Sequence, residues 1–199
     1  ILVDFGAVVN GYHSDMTRTF ALGSATERMR TVYSTVLAAQ ETGIRMLRAG
    51  VSCDQPHLAA HQVIRDAGFG DCFGHALGHC VGLEIHESPA LSPRAKQHLE
   101  PGMVITDEPG VYESGVVGIR IENELECVDA GTNQYGHWLK FEPLTLVPIS
   151  TEPVIVDELT RDQINWLNAY HAHVYEMLSP RLTEEEKTWL KAKTAPIDR

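Results

Sequence analysis

The chain has 199 residues and a formal net charge of −11, from 16 basic against 27 acidic side chains. Hydrophobic residues make up 43% and charged residues 22%, which excludes a disordered, fibrous or disulfide-stapled chain and allows one sizeable core. The negative surplus argues against nucleic acid or an anionic membrane as partner and leaves room for bound cations.

The four cysteines form no Cys-x-x-Cys pair, which suits a reducing compartment, and the expected location is cytoplasmic. No apolar run reaches the ~20 residues of a membrane span, so no membrane partner is expected. Ile1-Leu2-Val3 and Ala7-Val8-Val9 predict a hairpin turning near Asn10-Gly11, continued as strand through Thr17, Thr19 and Phe20. Over 26–49 the apolar positions Met29, Val32, Tyr33, Val36, Leu37, Ile44 and Leu47 fall at helical spacing, with Gly50 as the stop. A second helix is predicted over 54–67, with Pro56 in its first turn and Gly68 after it. The stretch 74–117 is rich in Gly and Pro and reads as short strands and loops. Alternation predicts one strand over 118–128 and another over 144–149.

Beyond Pro153 the pattern turns helical. Thr160-Arg161-Asp162-Gln163 is a capping box, followed by the stripe Ile164, Leu167, Tyr170, Val174 and Leu178. Pro180 ends that helix, and Thr183 to Glu186 caps a last one carrying Trp189 and Leu190. Strands, two helices, strands, then helices predict an α+β fold. The chain opens inside a strand, which predicts that it is a piece of a longer protein.

Four segments carry candidate chemistry. Asp4 and Asp15 lie across the hairpin, so both carboxylates can face one point, although two exposed turn acids fit the same spacing. His75, His79 and His86 fall within twelve residues among glycines, as metal ligands or general acids would. Glu108 enters a Pro-Gly turn directly after an apolar strand. Arg120, Glu122 and Glu124 share one strand face, with Ile119, Ile121 and Leu125 on the other. Should Asp4, Asp15, Glu108 and Glu122 converge with one histidine, two divalent cations would cancel the four negative charges. Oxygen-rich ligation with one imidazole favours Mn²⁺, with Co²⁺ or Zn²⁺ as alternatives. Two such ions ~3.5–4 Å apart are the machinery of a metallohydrolase.

These motifs resemble a known family. Asp4-x-Gly6, Gly11-Tyr12-x-Ser14-Asp15-x-Thr17-Arg18-Thr19, His75-x-x-x-His79-x-x-Gly82-x-x-x-His86-Glu87, Glu108-Pro109-Gly110-x-Tyr112 and Gly118-x-Arg120-x-Glu122 look like the pita-bread metallopeptidases. Residues 135–145, Trp166 to His171 and 182–190 look like the C-terminal extension of the long-form Xaa-Pro aminopeptidases (aminopeptidase P). The resemblance implies a partial pita-bread catalytic domain over 1–130 and that extension over 131–199. It also implies that the upstream part of the catalytic domain and the N-terminal domains belong to a larger enzyme, and that the enzyme is a homodimer.

The implied activity is a two-metal aminopeptidase removing the first residue from peptides with proline second, by a hydroxide bridging the metals. The alternatives are an Xaa-Pro dipeptidase (prolidase) and a non-catalytic binding module of the same fold. Carried over by position, Asp4 chelates one metal, Asp15 and Glu122 bridge both, and His79 and Glu108 complete the second. Glu108 also takes the proton of the attacking water. His86 holds the substrate carbonyl or protonates the leaving nitrogen, His75 lines the substrate pocket, and Arg120 orients Glu122. Asn123 stands where an acid often follows the bridging Glu.

Overall fold

The computed structural model describes residues 1–46 and 50–199. β1 (Leu2–Phe5) pairs antiparallel with β4 (Met16–Thr19), placing Asp4 opposite Thr17. Between them β2 (Val8–Val9) and β3 (Tyr12–His13) close a tight hairpin. Its turn residues Asn10 and Gly11 both have positive φ, 53° and 88°, as a two-residue turn of this hand requires. Phe20 falls just outside β4.

α1 (Glu27–Met46) begins after Thr26, whose hydroxyl accepts the Met29 N–H at 3.2 Å. Its Val32, Tyr33, Val36 and Leu37 are buried, and it packs on α2 (Asp54–Asp66). The predicted helix over 26–49 runs past Met46 through Leu47, which with 48 and 49 lies outside the described residues.

The stretch 74–117 supplies β5 (Gly78–Cys80), β6 (Glu87–Leu91), β7 (Val104–Asp107) and β8 (Gly110–Glu113). β9 (Val117–Arg120) pairs with β8 as a separate ribbon. β10 (Asn123–Asn133) and β11 (Gly136–Pro143) complete an antiparallel sheet in the order β11-β10-β7-β5-β6. Its inner residues Leu91, Ile105 and Leu125, with Leu77 just before β5, join the α1–α2 face in one core. A Cβ on Gly78 would lie 1.9 Å from the Thr106 carbonyl oxygen. Only glycine lets β5 come this close to β7, and the approach sets His79 beside Glu108.

α3 (Arg161–Leu178) and α4 (Glu184–Lys193) both start with complete capping boxes, Thr160 with Gln163 and Thr183 with Glu186. Ile164, Leu167, Tyr170 and Val174 are buried, and Leu178 is partly so. Among the described residues no helix is long and apolar enough to cross a membrane.

Two strand expectations need correction. The strand over 118–128 is broken, because the chain leaves β9 at Arg120 and joins the main sheet only at Asn123. At the crossing, Glu122 forms an isolated bridge to Thr17, its N–H donating to the Thr17 carbonyl at 3.1 Å. Among the described residues the segment 144–149 has no strand partner. Side chains, those of Arg18 and Tyr170, satisfy its carbonyls instead, and Pro148 has no N–H to offer a ladder. β11 was not anticipated, and residue 130 falls inside β10.

Candidate metal centre

The β1–β4 ribbon and the Glu122 crossing gather three acids. Asp4, Asp15 and Glu122 each bring one carboxylate oxygen within 4.8 Å of the others. Thr17 Oγ1 donates to Glu122 Oε2 at 2.6 Å and accepts from Arg120 Nε at 2.9 Å. The Arg120 guanidinium pairs directly with Asp4, and its Nε lies 3.7 Å from Glu122 Oε2. The Asp15 N–H donates to Glu124 Oε1 at 2.8 Å.

His79 adds a nitrogen. Its Nδ1 lies 3.0 Å from the Cys80 carbonyl, which can only accept, so Nδ1 carries a proton. Its Nε2 lies 3.3 Å from Glu108 Oε1 and 3.7 Å from Asp15 Oδ2. Electron-rich atoms that close call for a proton or a cation between them. Thr106 Oγ1 locks the pair, accepting from the His79 N–H at 3.0 Å and donating to Glu108 Oε1 at 2.9 Å.

The His86 ring stands edge-on to His79, with centroids 4.3 Å apart. His75 Nδ1 donates to the Ala76 carbonyl at 2.7 Å, so in the neutral ring Nε2 accepts from the Tyr112 hydroxyl at 2.9 Å. That hydroxyl accepts in turn from Arg120 Nη1 at 3.0 Å. An open cleft of about 540 Å³ is lined by His75, His79, His86, Glu87, Glu108 and Arg120.

Charge in this region is unbalanced. Burial, and then the nearby Glu108, push the Glu122 carboxyl up to about 8, and burial pushes Glu124 up to about 7. Burial raises Asp15 as well, helped by Asp4 and Glu108. Burial also works against the Glu108 anion, but His79 and the Thr106 hydroxyl hold this carboxyl below its ordinary value. Burial likewise disfavours the His79 cation, and contacts with Glu108 and the Cys80 carbonyl overcome it.

The donor set therefore lacks positive charge, and a cation would relieve it. Four carboxylates, with one imidazole whose Nδ1 is already tied to a carbonyl, fit hard or borderline divalent ions. All eight residues singled out in the sequence, Asp4, Asp15, His75, His79, His86, Glu108, Arg120 and Glu122, lie around this one region. Sequence reasoning passed over Thr17, Thr106, Tyr112 and Glu124. Thr17 and Tyr112 were inside the quoted motifs, and alternation already placed Glu124 on the Glu122 face; Thr106 carried no signal of its own.

Residues 1–129 match metallopeptidase family M24, and residues 137–197 match the C-terminal region of peptidase M24. An Xaa-Pro dipeptidase of Pyrococcus furiosus is 40% identical over 134 residues, covering 67% of this chain and 38% of that protein. Among solved structures, an X-prolyl aminopeptidase from Caenorhabditis elegans matches with a TM-score of 0.87 at 32% identity, over 98% of this chain and 33% of that one. It is described as a cytosolic enzyme with a di-nuclear active site. The prolidase from Pyrococcus furiosus matches at 0.64 and 38% identity, over 70% of this chain and 40% of that one. The chain spans about 36–40% of the length of these curated relatives. By sequence and by structure, the chain belongs to metallopeptidase family M24 and has the pita-bread fold, mixed in α and β.

Proposed function

We propose that the chain carries the two-metal centre of an Xaa-Pro aminopeptidase, which removes the first residue from peptides with proline second. The observation that carries this reading is the convergence of five donors from distant parts of the chain. Asp4, Asp15 and Glu122 lie within 4.8 Å of one another, and His79 Nε2 lies 3.3 Å from Glu108 and 3.7 Å from Asp15. Asp4 would hold one ion, Asp15 and Glu122 both, and His79 with Glu108 the other. Mn²⁺ is the first choice for this set, Co²⁺ or Zn²⁺ the alternatives. When bound, the ions supply neutralising charge and polarise the scissile carbonyl.

The remaining steps belong to side chains. The Glu108 carboxylate accepts the proton of the attacking water, and Thr106 Oγ1 fixes its orientation. His86 borders the cleft beside His79 and donates a proton to the departing proline nitrogen. That nitrogen belongs to a tertiary amide and must gain a proton to leave as an amine. His75, held by Tyr112, lines the substrate side of the cleft. Arg120 fixes Asp4 directly and Glu122 by way of Thr17.

The aminopeptidase reading is favoured over the dipeptidase one by extent of match. One aminopeptidase neighbour, that of Caenorhabditis elegans, covers 98% of this chain at a TM-score of 0.87, against 70% and 0.64 for a prolidase neighbour. A second X-Pro aminopeptidase, of Thermotoga maritima, covers 75% at 0.66, so the support comes from the first enzyme, whose match includes the C-terminal region. The dipeptidase is the second reading, favoured by the 40% identity to an Xaa-Pro dipeptidase. Mass spectrometry on the Mn²⁺-loaded protein, with an Xaa-Pro-Pro tripeptide and an Xaa-Pro dipeptide, tests both. Chelator-sensitive release of the first residue from the tripeptide alone is expected. Preference for the dipeptide would replace the reading with prolidase. Cleavage of neither, with two ions bound, would leave a binding module.

A further inference from the structure

On the face of β4 opposite Thr17 lies a guanidinium that the chemistry above does not use. Arg18 is 1% exposed, and among the described residues none of its hydrogen-bond partners is a carboxylate. Its Nη1 donates to the carbonyls of Thr17 at 2.9 Å and Glu122 at 2.6 Å, straddling the bridge between those residues. Its Nη2 donates to Asn123 Oδ1 at 2.7 Å, to the Val147 carbonyl at 2.7 Å and to the Tyr170 hydroxyl at 2.8 Å. Its Nε reaches the Pro148 carbonyl at 3.2 Å. A planar fork of fixed donors, all used and all out of water, holds its acceptors in one geometry.

The segment 144–149 also grips β10. The Leu144 N–H donates to the Glu124 carbonyl at 2.9 Å, and Thr145 Oγ1 accepts from the Glu124 N–H at 2.8 Å. Glu124 is the residue whose carboxylate holds the Asp15 N–H. One segment thus fixes the main chain behind both Glu122 and Asp15. Tyr170 ties that segment to α3, its hydroxyl within 2.9 Å of the Thr145 carbonyl and 2.8 Å of the Val147 carbonyl.

We infer that Arg18 and Tyr170 are positioning residues for the metal centre, a strut through which the 144–149 segment and α3 set the placement of Glu122. The inference rests on the reading of Glu122 as a metal ligand. The test compares Tyr170→Phe with His171→Phe. His171 Nε2 accepts the Ile149 N–H at 3.1 Å, so it joins the same helix to the same segment without a hydrogen bond to Arg18. Co²⁺ is titrated into the metal-free chain, and its visible spectrum and the melting temperature are followed.

Tyr170→Phe is expected to weaken Co²⁺ binding by about 10-fold and to shift the cobalt absorption bands. His171→Phe is expected to lower the melting temperature while leaving affinity and bands as in the wild type. Arg18→Lys keeps the charge but not the fork, and where it folds it is expected to weaken binding at least as much. Loss of melting temperature in Tyr170→Phe with unchanged affinity and bands would overturn the strut. A wild-type chain that takes up no Co²⁺ would overturn the ligand reading and the strut with it, and the wild-type titration alone identifies that case.

Discussion

Two arginines meet the Thr17–Glu122 crossing from opposite sides. Arg120 faces the cleft, pairs with the half-exposed Asp4 and donates to Thr17 Oγ1. Arg18 faces the interior and donates to carbonyls, an amide oxygen and a phenol. The residues carry the same charge at the same junction but have opposite partners. An arginine among carboxylates adjusts their charge and competes with whatever cation they hold. An arginine among neutral oxygens does neither, and what it fixes is distance. The front of the crossing is thus electrically responsive, and the back is rigid.

Breaking the crossing itself has the largest expected effect. Glu122→Gln keeps the shape and the carbonyl that Arg18 holds but removes the charge that the front converges on. Activity should fall by more than about 100-fold, beyond the range of residues that only support a ligand. Metal analysis should find the loss accompanied by lower metal content, and full occupancy with full activity would refute the assignment.

The two arginines should then separate in urea unfolding of the metal-free chain. Arg18→Met takes from the Glu122 and Pro148 carbonyls the donor that Arg18 supplies, leaves Thr17 and Val147 with one donor each, and should cost about 3 kcal/mol. Arg120→Gln breaks a pair whose acid is half exposed, together with hydrogen bonds to two hydroxyls that water from the cleft can replace, and should cost less, about 1–2 kcal/mol. Similar costs for both would erase the distinction between front and back.

The last test is a pH dependence of the front. In the metal-free chain the Glu122 carboxyl is raised to about 8 from an ordinary 4.5. The folded state then binds more protons than the unfolded one between those values, so stability should fall as the pH rises through that window. Mn²⁺ should flatten the slope by replacing the proton, and an unchanged slope would place the ion elsewhere. Unfolding curves across the window, with and without Mn²⁺, decide it.

The sequence showed the front of the crossing better than the back. Asp4, Asp15, Glu122 and the histidines belong to residue types and spacings that chemistry restricts, so they stood out before any fold was known. Helices were legible where their signals are local, as in the capping boxes at Thr160 and Thr183. The segment 144–149 was misread because its partners are Arg18 and Tyr170, far away in sequence, and an extended stretch held by side chains has the same periodicity as a strand. β11 did carry a readable signal, with Leu139 buried and Phe141 half-buried between the exposed Trp138, Lys140 and Glu142. The break at Ile121-Glu122 had none, since alternation continues across it. The direct Arg120–Asp4 pair joins residues 116 positions apart and no local pattern announces it.

The Arg18 cage also bears on how the chain folds. Its partners lie 104, 129 and 152 positions along the sequence, at Glu122, Val147 and Tyr170. Contacts of such separation form only after long loops close, and they slow folding more than they alter final stability. Until α3 docks, the guanidinium stays in water and the crossing has nothing behind it. Docking of α3 is therefore the late event that completes the acid cluster, and substitutions at Tyr170 should speed unfolding more than they slow refolding.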